Sequence, residues 1–385
     1  MYDWTPGGFG IYLHWPFCQS KCPYCDFNSH VAERVDQTAW KAAFLSEIDR
    51  YADEIGQRTL QTIYFGGGTP SLMEPELVAA IIDKIRSRWP LVNDIEVTLE
   101  ANPNSVEAGR FAGFRDAGVN RVSIGIQALN DRDLRRLGRL HSRAEALRAL
   151  DIAKNTFQRV TFDLIYSRQD QSTAEWEAEL SEALSFADGH LSLYQLTVED
   201  GTVFAARAAR GQLSGLPMEE QAAEMFELTQ AMCRSAGLPA YEISNHAKPG
   251  SESRHNTIYW QAGDYVGVGP GAHGRITVAS GRLATESFRN PNEWLDQVKR
   301  MSSGESVRTK LSSKDISLEY LLMSLRTSQG MSLKRYDEMA GLPLDFEKVA
   351  SLEAMGLLES EEQTLRVTDS GRLLLNGILR ELAPD

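Results

Sequence analysis

The run Gly10-Ile-Tyr-Leu-His-Trp15, continued by Pro16-Phe17 and then Cys18-Gln-Ser-Lys-Cys22-Pro-Tyr-Cys25, orders the rest of the chain around it. Six mostly apolar residues read as a buried strand. The C-x3-C-x2-C loop that follows stands at the carboxyl end of that strand, where parallel α/β sheets build their sites. Similar runs recur at 60–65 (LQTIYF), 94–100 (DIEVTLE), 121–127 (RVSIGIQ), 160–166 (VTFDLIY) and 190–196 (HLSLYQL), with helical periodicity between them at 38–54, 75–87, 105–117, 143–154 and 173–186. This alternation predicts a parallel sheet wrapped by helices. Six units predict an α/β fold, a partial (β/α)6 barrel; a closed eightfold barrel would need two more.

After a helix predicted at 218–236 the chain becomes rich in Gly, Asn and His over 241–275, and MSSGES at 301–306 reads as a linker. Residues 314–382 read as three helices, the strand TLRVT (364–368) and a last helix from Asp369, a small helical, winged-helix-like module. The expected division is therefore a barrel over 1–240, a connecting region over 241–300 and a carboxyl-terminal domain over 310–385. Winged helices often bind DNA. Here seven Lys/Arg face twelve Asp/Glu over 316–385, and that balance repels phosphate.

The whole chain, 385 residues with 40 Lys+Arg against 53 Asp+Glu, carries a formal charge of −13, which likewise speaks against nucleic acid as a partner. No apolar run approaches the roughly 18 residues of a membrane span, and MYDWTPGGFG lacks the basic-then-apolar order of a signal peptide. A cytoplasmic location is expected.

Of four cysteines, three lie within eight residues, which suits metal ligation better than a disulfide framework. Three thiolates from one loop can hold three irons of a [4Fe–4S] cluster and leave the fourth iron open. A structural zinc wants four closed ligands, and Cys233 is remote in sequence. Cys233 shares a helical stripe with Ala222, Met225, Phe226 and Met232 and reads as a core thiol. Gly66-Gly-Gly-Thr-Pro70 follows the second strand, where its glycines admit close approach to a ligand. Glu100, Gln127 and Asp163 each end a strand at the same rim, although any one alone could simply cap a helix.

The cysteine loop and the GGGTP motif together resemble the radical S-adenosylmethionine (SAM) superfamily, in which SAM chelates the open iron through its amine and carboxylate. Within it the chain resembles the branch of the oxygen-independent coproporphyrinogen oxidases. That resemblance implies SAM contacts from Tyr12, Tyr24, Gly67, Gly68, Thr69, Glu100, Gln127, Arg139 and Asp163, and a HemN-like carboxyl-terminal domain. The oxidases of this branch carry a fourth cysteine two residues after the third and a long amino-terminal arm; here position 27 is Phe27 and 17 residues precede Cys18. The alternative within the branch is the HemW-type heme chaperone, which binds heme and delivers it to apoproteins.

His255-Asn256-Thr257-Ile258-Tyr259-Trp260 matches the HNxxYW signature of those chaperones. Heme iron takes an axial imidazole and the macrocycle takes aromatic surface, and this hexapeptide supplies both. The resemblance implies His255 as axial ligand with Asn256, Tyr259 and Trp260 beside it, while His246 and His273 in the same segment are alternatives. It extends through 189–197, 198–204, 241–247 and 265–274 to essentially the full chain. It implies a [4Fe–4S] cluster, SAM and heme as cofactors, and apo-hemoproteins of respiration as recipients. It leaves open a peripheral membrane contact and whether SAM is cleaved, and it argues against coproporphyrinogen oxidation, the competing reading being that oxidase or another porphyrin-directed radical SAM enzyme. One segment departs from the family: Tyr166-Ser-Arg-Gln-Asp-Gln171 stands where a Gly/Pro-containing loop is usual, so adenosine contacts there are expected to differ.

Overall fold

The computed structural model describes residues 3–103, 108–339 and 341–383. After strand β1 (Phe9–Trp15) come two short strands, β2 (Phe17–Cys18) and β3 (His30–Val31), and then β4 (Leu60–Gly67), β5 (Leu91–Ala101), β6 (Arg121–Gln127), β7 (Arg159–Tyr166) and β8 (His190–Gln195). Strands β1, β4, β5, β6, β7 and β8 pair side by side and parallel in that order. The crossovers contain the helices Gln37–Ile55, Pro75–Arg88, Ala108–Ala117, Arg143–Thr156 and Thr173–Phe186. All six expected units are present; residues 105–107 of the helix expected at 105–117 lie outside the described residues.

Local chemistry sets where these helices start. Ser142 and Ser172 each form a capping box with the glutamate three residues on, satisfying two otherwise orphaned N–H groups per helix. Pro75 opens its helix in the first turn, where its missing N–H costs nothing. Along the strands the period of two divides the faces. Ile63, Phe65, Val97, Leu99, Ile124, Phe162 and Leu164 bury against the helices, which leaves Tyr64, Glu100, Ser123 and Asp163 around an interior cavity.

The sheet continues beyond those six strands. β9 (Asn245–Ala247) adds antiparallel to β8, while β10 (Asp264–Val268) lies parallel to β1 on the opposite side and is followed by the antiparallel β11 (His273–Val278), β12 (Gly281–Ser287) and β13 (Glu305–Lys310). The eleven strands form an open sheet whose end strands are β13 and β9. Residues 241–300 are therefore part of the same sheet, and Val266, Val268, Ile276, Leu283, Trp294 and Val298 share its core.

The expected linker at 301–306 needs correction. Met301 ends the helix Pro291–Met301 and Glu305 begins β13. Between them the Gly304 N–H donates to the buried Glu47 carboxylate (2.7 Å), and a Cβ on Gly304 would fall 2.0 Å from the Trp294 indole nitrogen. The small residues that suggest a linker are there because the turn is packed against an indole.

The carboxyl-terminal part has its own core, which includes Tyr320, Leu321, Leu325, Met331, Leu352, Leu365, Ile378 and Leu379. Its helices Ser313–Ser324, Leu333–Glu338, Phe346–Ala354 and Leu375–Leu382 pack with a small sheet of β14 (Met331–Ser332), β15 (Leu358–Glu361) and β16 (Thr364–Val367) in the order β14-β16-β15. Only β16 was expected: TLRVT alternates with β-branched residues, whereas β15 reads LESE and β14 has two residues. Ion pairs of 2.7 Å join this part to β11 (Arg275–Glu319) and to the helix Glu219–Ser235 (Arg234–Asp369).

Candidate cofactor site

The carboxyl ends of β4 to β8 surround a cavity of about 410 Å³, within the range for one small organic ligand (about 300–1,000 Å³). Cys18, Cys22, Cys25, Tyr24, Gly67, Gly68, Thr69, Glu100, Gln127, Arg139, Asp163 and Asn256 all line it. Tyr12, His255, Tyr259 and Trp260 do not.

The three thiols are partly exposed on the rim, each beside a donor or hydroxyl: Thr69 Oγ1 donates to Cys18 Sγ (3.4 Å), Arg139 Nη1 to Cys22 Sγ (3.3 Å), and Ser29 Oγ lies 3.8 Å from Cys25 Sγ. Burial pushes the Cys18 and Cys25 thiols above their ordinary range, so their thiolates need positive charge nearby. Arg139 supplies part of it. Its Nη2 donates to the Gly125 carbonyl (2.8 Å), while its Nε is buried without a partner. Among the described residues no three His, Cys, Asp or Glu side chains converge on a single-ion point. A cluster that takes one thiolate on each of three irons needs no such convergence, so this donor set fits it.

GGGTP is pressed against β1 and the cysteine loop. Gly67 adopts φ +111°, and a Cβ there would meet the His14 ring at 2.7 Å; on Gly68 it would meet the Phe17 carbonyl at 2.7 Å and Cys18 Sγ at 3.0 Å. The Gly67 N–H donates to Glu100 Oε2 (3.2 Å), and the Tyr64 hydroxyl to Glu100 Oε1 (2.8 Å). Gln127, also left-handed (φ 73°), donates from Nε2 to Asp163 Oδ2 (2.6 Å). Burial raises Glu100 to about 7 and Asp163 to about 6 despite these bonds. Two desolvated carboxylates facing one cavity, with Arg121 and Arg139 on its wall, can receive a cationic ligand.

The HNxxYW residues lie on a helix, Arg254–Trp260, beneath the cavity. Ser253 Oγ accepts the Asn256 N–H, and the Glu96 carboxylate accepts the N–H groups of Arg254 and His255, which is why the helix starts there. The His255 ring stacks on Tyr64 (centroids 4.9 Å) and meets Tyr259 edge-on (4.8 Å). Its Nδ1 bonds Thr62 Oγ1 (2.7 Å) and its Nε2 the Tyr259 hydroxyl (2.6 Å). The ring is 1% exposed, and burial holds it neutral, with its pKa down to about 3. The imidazole expected to ligate heme is thus turned inward, and in this conformation neither of its nitrogens is open to iron.

Sequence reasoning missed other residues that line the cavity, among them Arg121, Ser123, Ser192, Tyr194 and Asn245. For β6 the signal was the same period of two, since Arg121 and Ser123 share the phase of Gly125 and Gln127. In the departing loop, Arg168 turns away from the cavity and pairs with Asp133 (3.0 Å) and Glu179 in the protein.

The family description "Radical SAM superfamily" matches residues 12–179, and "HemN C-terminal domain" matches 311–374. The heme chaperone HemW of Escherichia coli is 36% identical over 374 residues, 96% of each chain. The chain belongs to the radical SAM superfamily, in its HemW group. The HemW chaperone of Mycobacterium tuberculosis is also 36% identical, over 97% of this chain and 94% of its own. The mitochondrial radical S-adenosyl methionine domain-containing protein 1 of Bos taurus is 38% identical, over 97% of this chain and 86% of its own. The solved structure of E. coli coproporphyrinogen III oxidase shares the fold, with a TM-score of 0.82 at 21% identity over 98% of this chain and 90% of that one.

Proposed function

We propose that this radical SAM chain holds a [4Fe–4S] cluster on Cys18, Cys22 and Cys25, binds SAM in the cavity, and carries heme to apo-hemoproteins, those of respiration among them, in the cytoplasm. The observation that carries this reading is one cavity, sized for a single ligand, that gathers three thiols, a packed glycine loop and two carboxylates whose pKa burial raises. When bound, the cluster supplies an electron and an open iron. Glu100 and Asp163 would offset the cationic charge of SAM, Arg139 would balance the thiolates, and Tyr24 and Gln127 would line the ligand. Among the described residues no helix is long and apolar enough to cross a membrane.

Phe27 favours carrier over oxidase. It stands where the oxidases have their fourth thiol, 59% exposed at the cavity mouth. Anaerobically reconstituted protein given SAM, reductant and coproporphyrinogen III is expected to make no protoporphyrinogen IX above an enzyme-free control. The same preparation should give a Soret band on titration with heme. Product formation would move the assignment to the oxidase.

The two carboxylates predict a pH signature. Both pKa values are raised by folding, so their contribution to the empty protein's stability is present below about pH 4 and is lost as pH rises through 6 to 7. A cationic ligand pairs with the ionised forms, so the increase in thermal midpoint caused by SAM should grow between pH 5.5 and 8. Glu100→Gln with Asp163→Asn should flatten that growth. A pH-independent increase in the unaltered protein would contradict the assigned role of these groups.

A further inference from the structure

Three rings lie nearly parallel at the wall of the cavity. Tyr64 stacks on His255 (centroids 4.9 Å, 25° between planes), and Tyr12 on both Tyr64 (6.0 Å, 26°) and His255 (6.3 Å, 29°). Of the three, Tyr64 lines the cavity and the other two stand behind it. Two glycines make the space. A Cβ on Gly10 of β1 would fall 2.5 Å from Thr62 Oγ1 and 3.2 Å from His255 Nδ1, and one on Gly66 of GGGTP would fall 2.8 Å from the Tyr12 ring and 3.0 Å from the Tyr64 ring. The rings and the glycine loop are packed as one body.

The stack ends on a carboxylate of the site. The Tyr64 hydroxyl donates to Glu100 Oε1 (2.8 Å), and Oε2 of the same group accepts the Gly67 N–H (3.2 Å). That hydroxyl is placed only as well as its ring is placed, and His255 is the brace. Its two nitrogens are pinned by Thr62 Oγ1 (2.7 Å) and the Tyr259 hydroxyl (2.6 Å), and Thr62 and Tyr64 share one face of β4, so His255 grips that strand at two points. His190 supplies a contrast. It is held alike, by Thr161 Oγ1 (2.7 Å) and the Tyr241 hydroxyl (2.9 Å), but Tyr241 leads on to the Ser253 N–H and not to a cavity carboxylate.

We infer that His255 is a positioning residue of the SAM site: by bracing Tyr64 it holds the Glu100 carboxylate where a cationic ligand meets it. This rests on the SAM-binding reading. The histidine of HNxxYW then serves the carboxylate end of the cavity, and Tyr12 acts from behind Gly66 without lining the cavity.

SAM equilibrium dialysis on anaerobically reconstituted full-length protein, from pH 5.5 to 8.5, tests it. Tyr64→Phe, which keeps the ring and removes the donor, is expected to weaken SAM about tenfold near pH 7 and to move the midpoint of its pH dependence up by about one, because a carboxylate that loses a donor ionises less readily. His255→Gln, whose amide can still pair with Thr62 but offers Tyr64 no ring, should weaken SAM about threefold and move the midpoint the same way. Added to Tyr64→Phe it should weaken SAM no further, since its effect travels through the hydroxyl already removed. Asp163 and Arg121 also act on Glu100 and are unaltered in these variants, while burial keeps Tyr12, Tyr194 and Tyr259 neutral over this range, so the midpoint reports the Tyr64 bond. His190→Gln should keep the parent affinity and midpoint. Additive losses in the double variant, an unmoved midpoint in His255→Gln, an equal shift in His190→Gln, or loss of the cluster from both His255→Gln and His255→Ala would each overturn the assignment. Parent protein that holds its cluster and takes no SAM would fail the SAM reading itself, and the inference with it.

Discussion

Replacing any one of Cys18, Cys22 or Cys25 by Ala is expected to abolish the [4Fe–4S] absorption of reconstituted protein and, with it, SAM binding. Cys233→Ala is expected to keep both. The contrast follows from placement. Three thiols share the cavity rim with Thr69, Arg139 and Ser29 close by. Cys233 is fully buried on the helix Glu219–Ser235, its thiol pushed up to about 12 by burial, among Met225 and other core residues. Iron and sulfide content, electron paramagnetic resonance and SAM equilibrium dialysis read the outcome. If folded Cys233→Ala lost iron as severely as the rim variants, the assignment of ligands would fall.

Asp264→Asn is expected to cost about 3–5 kcal/mol of stability, the range for removing one partner of a buried ion pair. Asp264 is completely buried at the start of β10, where Oδ2 accepts from Arg58 Nη1 (2.6 Å) and Oδ1 from Arg282 Nη1 (2.7 Å) and Thr277 Oγ1 (2.9 Å). The Arg58 and Arg282 side chains are themselves only 7% and 2% exposed. Removing the Asp264 charge takes a carboxylate from two buried guanidiniums, where β10 pairs with β1. Adding Arg282→Gln should recover part of the loss, since it removes one stranded charge. Denaturant unfolding checks both, and a single variant within 1 kcal/mol of the parent would contradict the role given to this network.

The parallel half of the sheet was legible because each of its strands is an apolar run of six or more residues bounded by amphipathic helices. The other half was not. β9 has three residues and β10 five, and β10 reads VGV inside a glycine-rich stretch, so no period distinguishes strand from turn. The packed turn at Gly304 read as a linker because composition records small residues without the indole that demands them. In the site, the thiols, the glycine loop and the strand-end polar groups were legible from spacing and position. His255 was legible as special, but a motif carries no information about burial. Tyr64, Thr62 and Tyr259, drawn from β4 and the helix itself, are what turn its ring inward.

Heme transfer bears most directly on what the chain is for. Reconstituted protein loaded with one heme is mixed anaerobically with an apo-hemoprotein, and the Soret band is followed as it moves from donor to recipient. Transfer faster than from an equal concentration of free heme, leaving the cluster absorption intact, is the predicted result. Heme that stays on the donor, or that leaves no faster than free heme reaches the recipient, would contradict it.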